Sequence, residues 1–360
     1  MMETATTIEL AGRAVVTTYS GIAAEYEAMH RRAIVVDRSH RDRMRFAGDK
    51  SADALNGLVT NDVSALSPGQ GLYAAALTAK GKVIADIRIL RLEAEYLVDV
   101  SARARDGWTS VVQKYVNPRM AKYTDVTGSS RVVGIFGTQA RYVAEEVTGV
   151  GHSALGILLP YNHITVQRDG IDMLVMRSPD LGVEGFEIFV APEAFDVVWD
   201  LTTKAHATPA GIAVCDVARV EAGRPDWGVD MDDNTIPQEA NLEELGAISY
   251  TKGCYTGQEV VARVHFRGHV NRTLRGLRAP GTVPPPAKAT LLDVEGKVVG
   301  EVRSSLTSPR FGGIALAMVR REVESGAQLT ARWSVEPGSQ GASEAGEAQV
   351  DVVALPFPST

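Results

Sequence analysis

The amino-acid sequence predicts an α+β protein built as two lobes followed by a small antiparallel β-barrel. Three observations carry that expectation. The chain has 360 residues, more than one average core organises, which points to two or three domains. Its first part holds two successive blocks in which period-two apolar runs alternate with helical runs. Beyond the connector Ala279-Pro-Gly-Thr-Val-Pro-Pro-Pro-Ala287, too proline-rich for a helix or a central strand, short extended segments are separated mostly by glycine-containing turns.

In the first block, Met44 to Phe46 reads as a strand and Ser51 to Leu58 as a helix capped by Asp49 or Ser51. Leu72 to Leu77, a turn at Lys80-Gly81, Val83 to Leu90 and Tyr96 to Val100 form a hairpin or meander, and Ala104 to Tyr115 a helix. The second block has strands near Val132 to Phe136, Ile164 to Gln167, Met173 to Met176 and Glu187 to Val190, with helices near Gln139 to Thr148 and Glu193 to Ala205. The barrel segments are Thr290 to Asp293, Lys297 to Ser304, Gly313 to Val319, Gln328 to Trp333 and Gln349 to Ala354. The lobes thus occupy residues 1–272 and the barrel 273–360, with a flexible loop over 336–347 that lacks large apolar side chains.

Composition narrows the function. A hydrophobic content of 45% and a charged content of 22% are ordinary for a soluble globular protein. The formal charge of −7 argues against wholesale nucleic-acid binding. Two cysteines, Cys215 and Cys254, make no disulfide framework and favour a reducing compartment. The N-terminal residues show no secretory pattern and no run approaches a membrane span of roughly 20 apolar residues, so the expected location is cytoplasmic. Gly-x-Gly-x-x-Gly, Walker A and Gly-x-Ser-x-Gly patterns are absent.

The most informative stretch is Lys252-Gly-Cys-Tyr-Thr-Gly-Gln-Glu259, continuing to Arg263. It sets Cys254 near two glycines, Gly253 and Gly257, that let another molecule approach the backbone, and beside cations that favour a thiolate. The alternative is a small buried cysteine in a strand-to-helix turn. Arg263 to Arg278 carries five arginines and two histidines. It reads as a solvated strand face, a cradle for a polyanionic tail, or an RNA-contacting patch. Cys254, His265 and His269 fit no tight zinc spacing, so no metal site is expected. Strand alternation places Asp86 on the face of Ile84, opposite Val83, either in solvent or partly buried. Glu221 could form a surface ion pair with Arg224.

The Lys-Gly-Cys-Tyr-x-Gly-Gln-Glu motif resembles the signature of the YgfZ family, folate-binding relatives of the glycine-cleavage aminomethyltransferase (T-protein). Thr60-Asn-Asp62, Gly81 to Asp86, Glu184 to Glu187, Arg219 to Gly223 and Gly300 to Ser305 follow in matching order. The resemblance implies two lobes and a barrel around a channel for tetrahydrofolate. It implies support of iron-sulfur cluster assembly or repair in client enzymes, including those that modify tRNA, through transient contact.

Under that resemblance Asp86 matches an acidic residue near the folate nitrogens that carry the one-carbon unit, while the preceding acidic position is Ala85 here. Glu221 matches the glutamate assigned to the pterin ring, which a carboxylate can grip through two parallel N–H bonds. Lys252 and Arg263 become candidates for the glutamate tail of the folate. The expected working residues are therefore Cys254 and Asp86, with Asp86, Glu221, Lys252 and Arg263 binding tetrahydrofolate or a derivative. The alternatives are a folate-dependent aminomethyl- or methyltransferase with turnover, which would not need Cys254 and would keep the acidic residue at position 85, and a folate-sensing regulatory module.

Overall fold

The structure is a computed structural model that describes residues 5–334 and 345–358. It opens with a hairpin of β1 (Thr6–Leu10) and β2 (Arg13–Thr18), then α1 (Ile22–Arg31) and β3 (Ile34–Asp37). The first lobe follows: β4 (Asp42–Ala47), α2 (Ser51–Leu58), β5 (Gly71–Leu77), β6 (Val83–Arg91), β7 (Glu95–Val100), α3 (Arg105–Tyr115) and β8 (Lys122–Asp125). The second lobe contains β9 (Arg131–Phe136), α4 (Ala140–Thr148), α5 (His152–Gly156), β10 (His163–Arg168), β11 (Ile171–Arg177), β12 (Gly185–Val190), α6 (Phe195–Lys204) and β13 (Thr208–Pro209). Helix α7 (Ile212–Glu221), a long irregular segment and α8 (Gln258–Arg267) lead to the barrel strands β14 (Arg272–Arg278), β15 (Thr290–Leu292), β16 (Val298–Ser308), β17 (Gly312–Arg320), β18 (Gln328–Trp333) and β19 (Gly346–Val353).

The expected architecture of two lobes and a barrel is present. The first sheet has the order β5-β6-β7-β4-β8, the second β10-β11-β12-β9-β3-β13, and the barrel closes as β14-β17-β16-β15-β18-β19. Each lobe sheet buries one face under its own helices. Phe46, Ile87, Ile89 and Val98 pack with Leu55 of α2 and Trp108 of α3, while Val133, Ile135, Val175 and Ile188 pack with residues of α4 and α6. The opposite faces meet each other: Tyr73, Ala75, Leu77 and Leu90 of the first sheet share a core with Val132, Met176 and Phe189 of the second. Sheets apolar on both faces carry such a sandwich of layers. The polar site lies along this inter-lobe seam.

Several local expectations change. Helix α2 spans Ser51–Leu58 as expected, but its N-cap is Lys50, without a side-chain cap bond. Leu77 pairs with Val83 and Ala76 with Ala85, leaving Ile84 as the extra residue of a β-bulge. The bulge shifts the alternation: Ile84, Ala85 and Ile87 face the helices, whereas Val83 joins the inter-lobe core. Asp86 is therefore on the Val83 face, not the Ile84 face. The basic stretch is also not one strand, because Arg263 to Arg267 ends α8 and only Arg272 to Arg278 is extended. The loop expected over 336–347 lies outside the described residues up to 344, and Gly346 and Glu347 open β19.

Candidate functional site

Asp86 sits in β6 directly across from Ala75 of β5 and is only 7% exposed. The hydroxyl of Tyr73, also from β5, donates to its Oδ2 at 3.1 Å. Its Oδ1 is buried with no partner. Burial pushes this carboxyl up to about 6, against the lowering pull of Arg41 and with a further push from Asp226. An unfilled buried acceptor is costly, so it marks a place where a donor belongs.

Asp86 lines a cleft of about 110 Å³ at the seam, walled by Tyr73, by Cys215 of α7, and by a dense set of arginines and aspartates. Six arginines reach it: Arg38, Arg41, Arg88, Arg103, Arg219 and Arg224. Each is already matched by a carboxylate. Arg88 is the centre of the set. Its Nε and Nη2 donate to Asp99 Oδ1, its cross-strand neighbour on β7, at 3.0 and 2.8 Å, and its Nη1 donates to Asp180 Oδ2 at 3.1 Å. Its Nη2 also lies 2.9 Å from Glu187 Oε2 on β12, so one buried guanidinium joins both lobes. Arg41 also donates to Asp99, Arg103 pairs with Asp226, and Arg38 reaches Glu187 at 3.4 Å. Arg219 binds Asp216 at 2.8 Å and Asp230 at 2.7 Å. Arg224 donates to the Tyr161 hydroxyl at 3.1 Å, which in turn donates to Asp180 at 2.9 Å.

The titration of this network follows its pairing. Burial alone would raise Asp99, but Arg41, Arg88 and Arg43 hold it well below the usual carboxylate range. Asp180 is likewise brought down to about 2 against burial by Arg88 and Arg224. Burial, with Arg38 and Arg41, keeps His40 neutral, and its Nδ1 has no partner. The cleft thus has fixed charged walls, and among the described residues that line it Asp86 Oδ1 and His40 Nδ1 are left without a partner.

The other expected residues lie elsewhere. Glu221 ends α7, where Tyr26 donates to its Oε2 at 2.9 Å and Ser308 of β16 donates to its Oε1. Its fork is filled by protein hydroxyls, and it ties the lobes to the barrel and does not line the cleft. Lys252 is buried, and its Nζ donates to the carbonyls of Asn56 and, at 2.7 Å, Val59 while lying 4.9 Å from the Tyr255 ring. Burial lowers it to about 8. It caps the C-terminal end of α2, and its ammonium is already engaged by these two carbonyls. Arg263 is exposed on α8, away from the residues that wall the cleft.

Cys254 is exposed and Cys215 buried, both as free thiols. The reading of Cys254 as a buried core residue is therefore overturned. Its motif has a structural logic. Gly257 is the N-cap of α8 at φ +84°, and a Cβ there would lie 2.6 Å from the Thr78 carbonyl, so only glycine fits. Tyr255 fills the inter-lobe core. A Cβ at Gly253, by contrast, would meet nothing within 4 Å, so packing does not explain that glycine. Among the described residues no group of three or more His, Cys, Asp or Glu side chains is placed to hold a metal ion.

Sequence reasoning missed Tyr73, Arg88, Asp99, Asp180 and Arg224. Arg88 and Asp99 carried a signal, a cation and an anion each interrupting an apolar strand. Glu187 was visible only as part of a landmark.

Residues 2–249 match the GCVT N-terminal domain and residues 272–354 the C-terminal beta-barrel domain of CAF17. The chain belongs to the GCVT family and is related to the glycine-cleavage T-protein. The CAF17-type barrel adds the features of the YgfZ/CAF17 group. It is 30% identical over 326 residues to an aminomethyltransferase of Rubrobacter xylanophilus, covering 90% of this chain and 86% of that one. It is 28% identical to an aminomethyltransferase of Saccharopolyspora erythraea, covering 98% and 94%. The fold matches the crystal structure of glycine cleavage system aminomethyltransferase T from Bartonella henselae with a TM-score of 0.84 at 23% identity, over 98% of this chain and 94% of that one. No helix among the described residues is long and apolar enough to cross a membrane.

Proposed function

We propose that this chain is a cytoplasmic tetrahydrofolate-binding protein that assists assembly or repair of iron-sulfur clusters in client enzymes, tRNA-modifying enzymes among them, with Cys254 as its reactive thiol. The observation that carries the folate reading is the unfilled Oδ1 of Asp86 in the inter-lobe cleft. A reduced folate supplies a one-carbon unit carried on nitrogen, and its N–H groups are donors of the kind this carboxylate lacks. Asp86 and Tyr73 would hold that end, and the paired arginines keep the walls fixed. The residues present fit the group. The free space is too small for a whole folate, so its tail would lie outside the cleft.

Support for the thiol role comes from the exposure of Cys254 and from the open space at Gly253 beside it. A second reading, a folate-dependent aminomethyltransferase, is favoured by the names of the curated relatives. Ala85 and the cysteine motif weigh against it.

Calorimetric titration with tetrahydrofolate tests the folate reading. Wild type should bind saturably and Asp86→Asn should lose at least about ten-fold in affinity, or ~1.4 kcal/mol. Absence of binding by folded wild type would refute the reading. Glu221→Ala should stay within a few-fold of wild type while losing stability, whereas abolished binding would restore its pterin role. Cys254→Ala should bind folate normally and fail to support client enzymes in cells. Transfer from an aminomethylated lipoyl carrier by that variant would favour the second reading.

A further inference from the structure

Helix α8 buries only Val261 of its ten residues and leaves Arg263, His265, Phe266 and Arg267 exposed. The hairpin turn between β5 and β6 lies along its first turns, since a Cβ on Gly81 would come within 2.7 Å of Val260 Cβ. That turn brings Lys80 and Lys82. On a helix, Val260, Arg263, Val264 and Arg267 follow at spacings of three and four and share one face. Lys80, Arg263 and Arg267 therefore form a strip running from the turn along α8, with the exposed Glu259 one turn before Arg263 and Glu243 paired to His265 at 2.7 Å. Lys82 Nζ donates to the Asn234 carbonyl at 2.8 Å, and Arg272, whose charge is matched by Glu239 at 3.0 Å, donates to the same carbonyl at 2.8 Å, so the unpaired cations stop short of the barrel.

Lys80, Arg263 and Arg267 have no ion-pair partner among the described residues, whereas the arginines of the cleft are all matched. Beside the strip an aromatic step stands out of the surface. The Tyr250 ring stacks on His265 at 3.7 Å and meets Phe266 edge-on at 5.8 Å, and Phe266 is 66% exposed. Cys254 lies three residues before Gly257, at the N-terminal end of the same helix.

We propose that this strip is a docking surface for a short acidic segment of a partner protein, with Phe266 and Tyr250 receiving one apolar side chain of that segment. Charge complementarity selects the occupant. The chain as a whole carries −7, so the positive field is local and reaches only about 8 Å at physiological salt. A helix of ten residues is about 15 Å long, which an extended peptide of about five residues spans. A nucleic-acid strand longer than that extends over a protein of net charge −7, and a single exposed phenylalanine gives it no ladder of stacked bases. The function of the surface, bringing a client to Cys254, rests on the proposed thiol role.

Fluorescence anisotropy of the full-length protein with a fluorescein-labelled poly-glutamate peptide carrying one phenylalanine tests the surface, with an oligouridylate of equal length as the rival probe. The wild type should bind the peptide more tightly than the oligouridylate and lose affinity as salt rises. Arg263→Glu with Arg267→Glu should weaken peptide binding at least about ten-fold, and Phe266→Ala should weaken it with an unchanged salt slope. All these positions are exposed, and a circular dichroism melt checks that each variant is folded. Peptide affinity unchanged by charge reversal, or no peptide binding, would overturn the proposal, and tighter binding of the oligouridylate would make the strip a nucleic-acid surface. Cys254→Ala should bind the peptide as wild type does. The surface and the thiol role can therefore fail separately: loss of one leaves the other measurable in the same proteins.

Discussion

Replacing Asp86 by asparagine should stabilise the protein, and the gain should depend on pH. The carboxyl titrates at about 6 in the folded chain against an ordinary 3.8. Between those values the native state holds the proton more tightly than the unfolded state, so stability from this group is full below about pH 4 and falls as pH rises through 6. The rise from 3.8 to about 6, at about 1.36 kcal/mol per pH unit, makes the buried charge cost ~3 kcal/mol at neutral pH. Asparagine keeps an acceptor for the Tyr73 hydroxyl and carries no charge. The difference in urea-unfolding free energy between Asp86→Asn and wild type should therefore grow by ~3 kcal/mol from about pH 4 to about pH 7.5 and then level off. Depressed groups such as Asp180 lose their contribution as pH falls, in both proteins alike, and cancel in the difference. A difference that stays flat across this range would show that Asp86 is not a desolvated carboxyl, and the argument for an open acceptor would go with it.

Two other perturbations test the rest of the site. Arg88→Ala removes the cation shared by Asp99, Asp180 and Glu187 and should cost about 3–5 kcal/mol in urea unfolding, since it leaves the buried Asp99 to Arg41 and Arg43 and the buried Glu187 to a 3.4 Å contact with Arg38; a loss under about 1 kcal/mol would mean that the lobes are not joined through this residue. Thiol titration with Ellman's reagent should find one fast thiol in the native wild type and none in Cys254→Ala, because Cys215 is buried and its thiol is pushed up to about 12. A fast thiol remaining in that variant would place Cys215 in reach of solvent.

How much was legible in the sequence depended on the range of the interaction. Local patterns fixed most strands and helices of the two lobes, because alternation and 3.6-residue spacing record burial directly. The bulge at Ile84 was not legible: it depends on the partner strand, and one extra residue moved Asp86 to the other face. The end of α8 was masked by charges that also suit a strand. For the site, the motif pointed to a real structural constraint, but its residues divide between tasks. Gly257 serves a left-handed turn, Lys252 caps carbonyls, and Cys254 faces outward together with Gly253 and Glu259. Glu221 looked suited to a ring ligand because a sequence cannot show that Tyr26, 195 residues earlier, and Ser308, 87 later, take its two oxygens.

Six arginines around one cleft would suggest an anion site if they were counted without their partners. The pairing reverses that inference. Every guanidinium is matched to a carboxylate of the protein, several of them buried, so an incoming anion would have to displace an internal partner and strand it. Among the described residues, what the walls leave open is an acceptor, Asp86 Oδ1, and on the same cleft the Nδ1 of a neutral His40. Such a cleft selects a ligand by its N–H donors, and its charged walls serve to hold two sheets at fixed separation around it. On that account phosphate or sulfate should compete poorly with a reduced folate, while a ring of the same shape lacking N–H donors should lose most of its affinity.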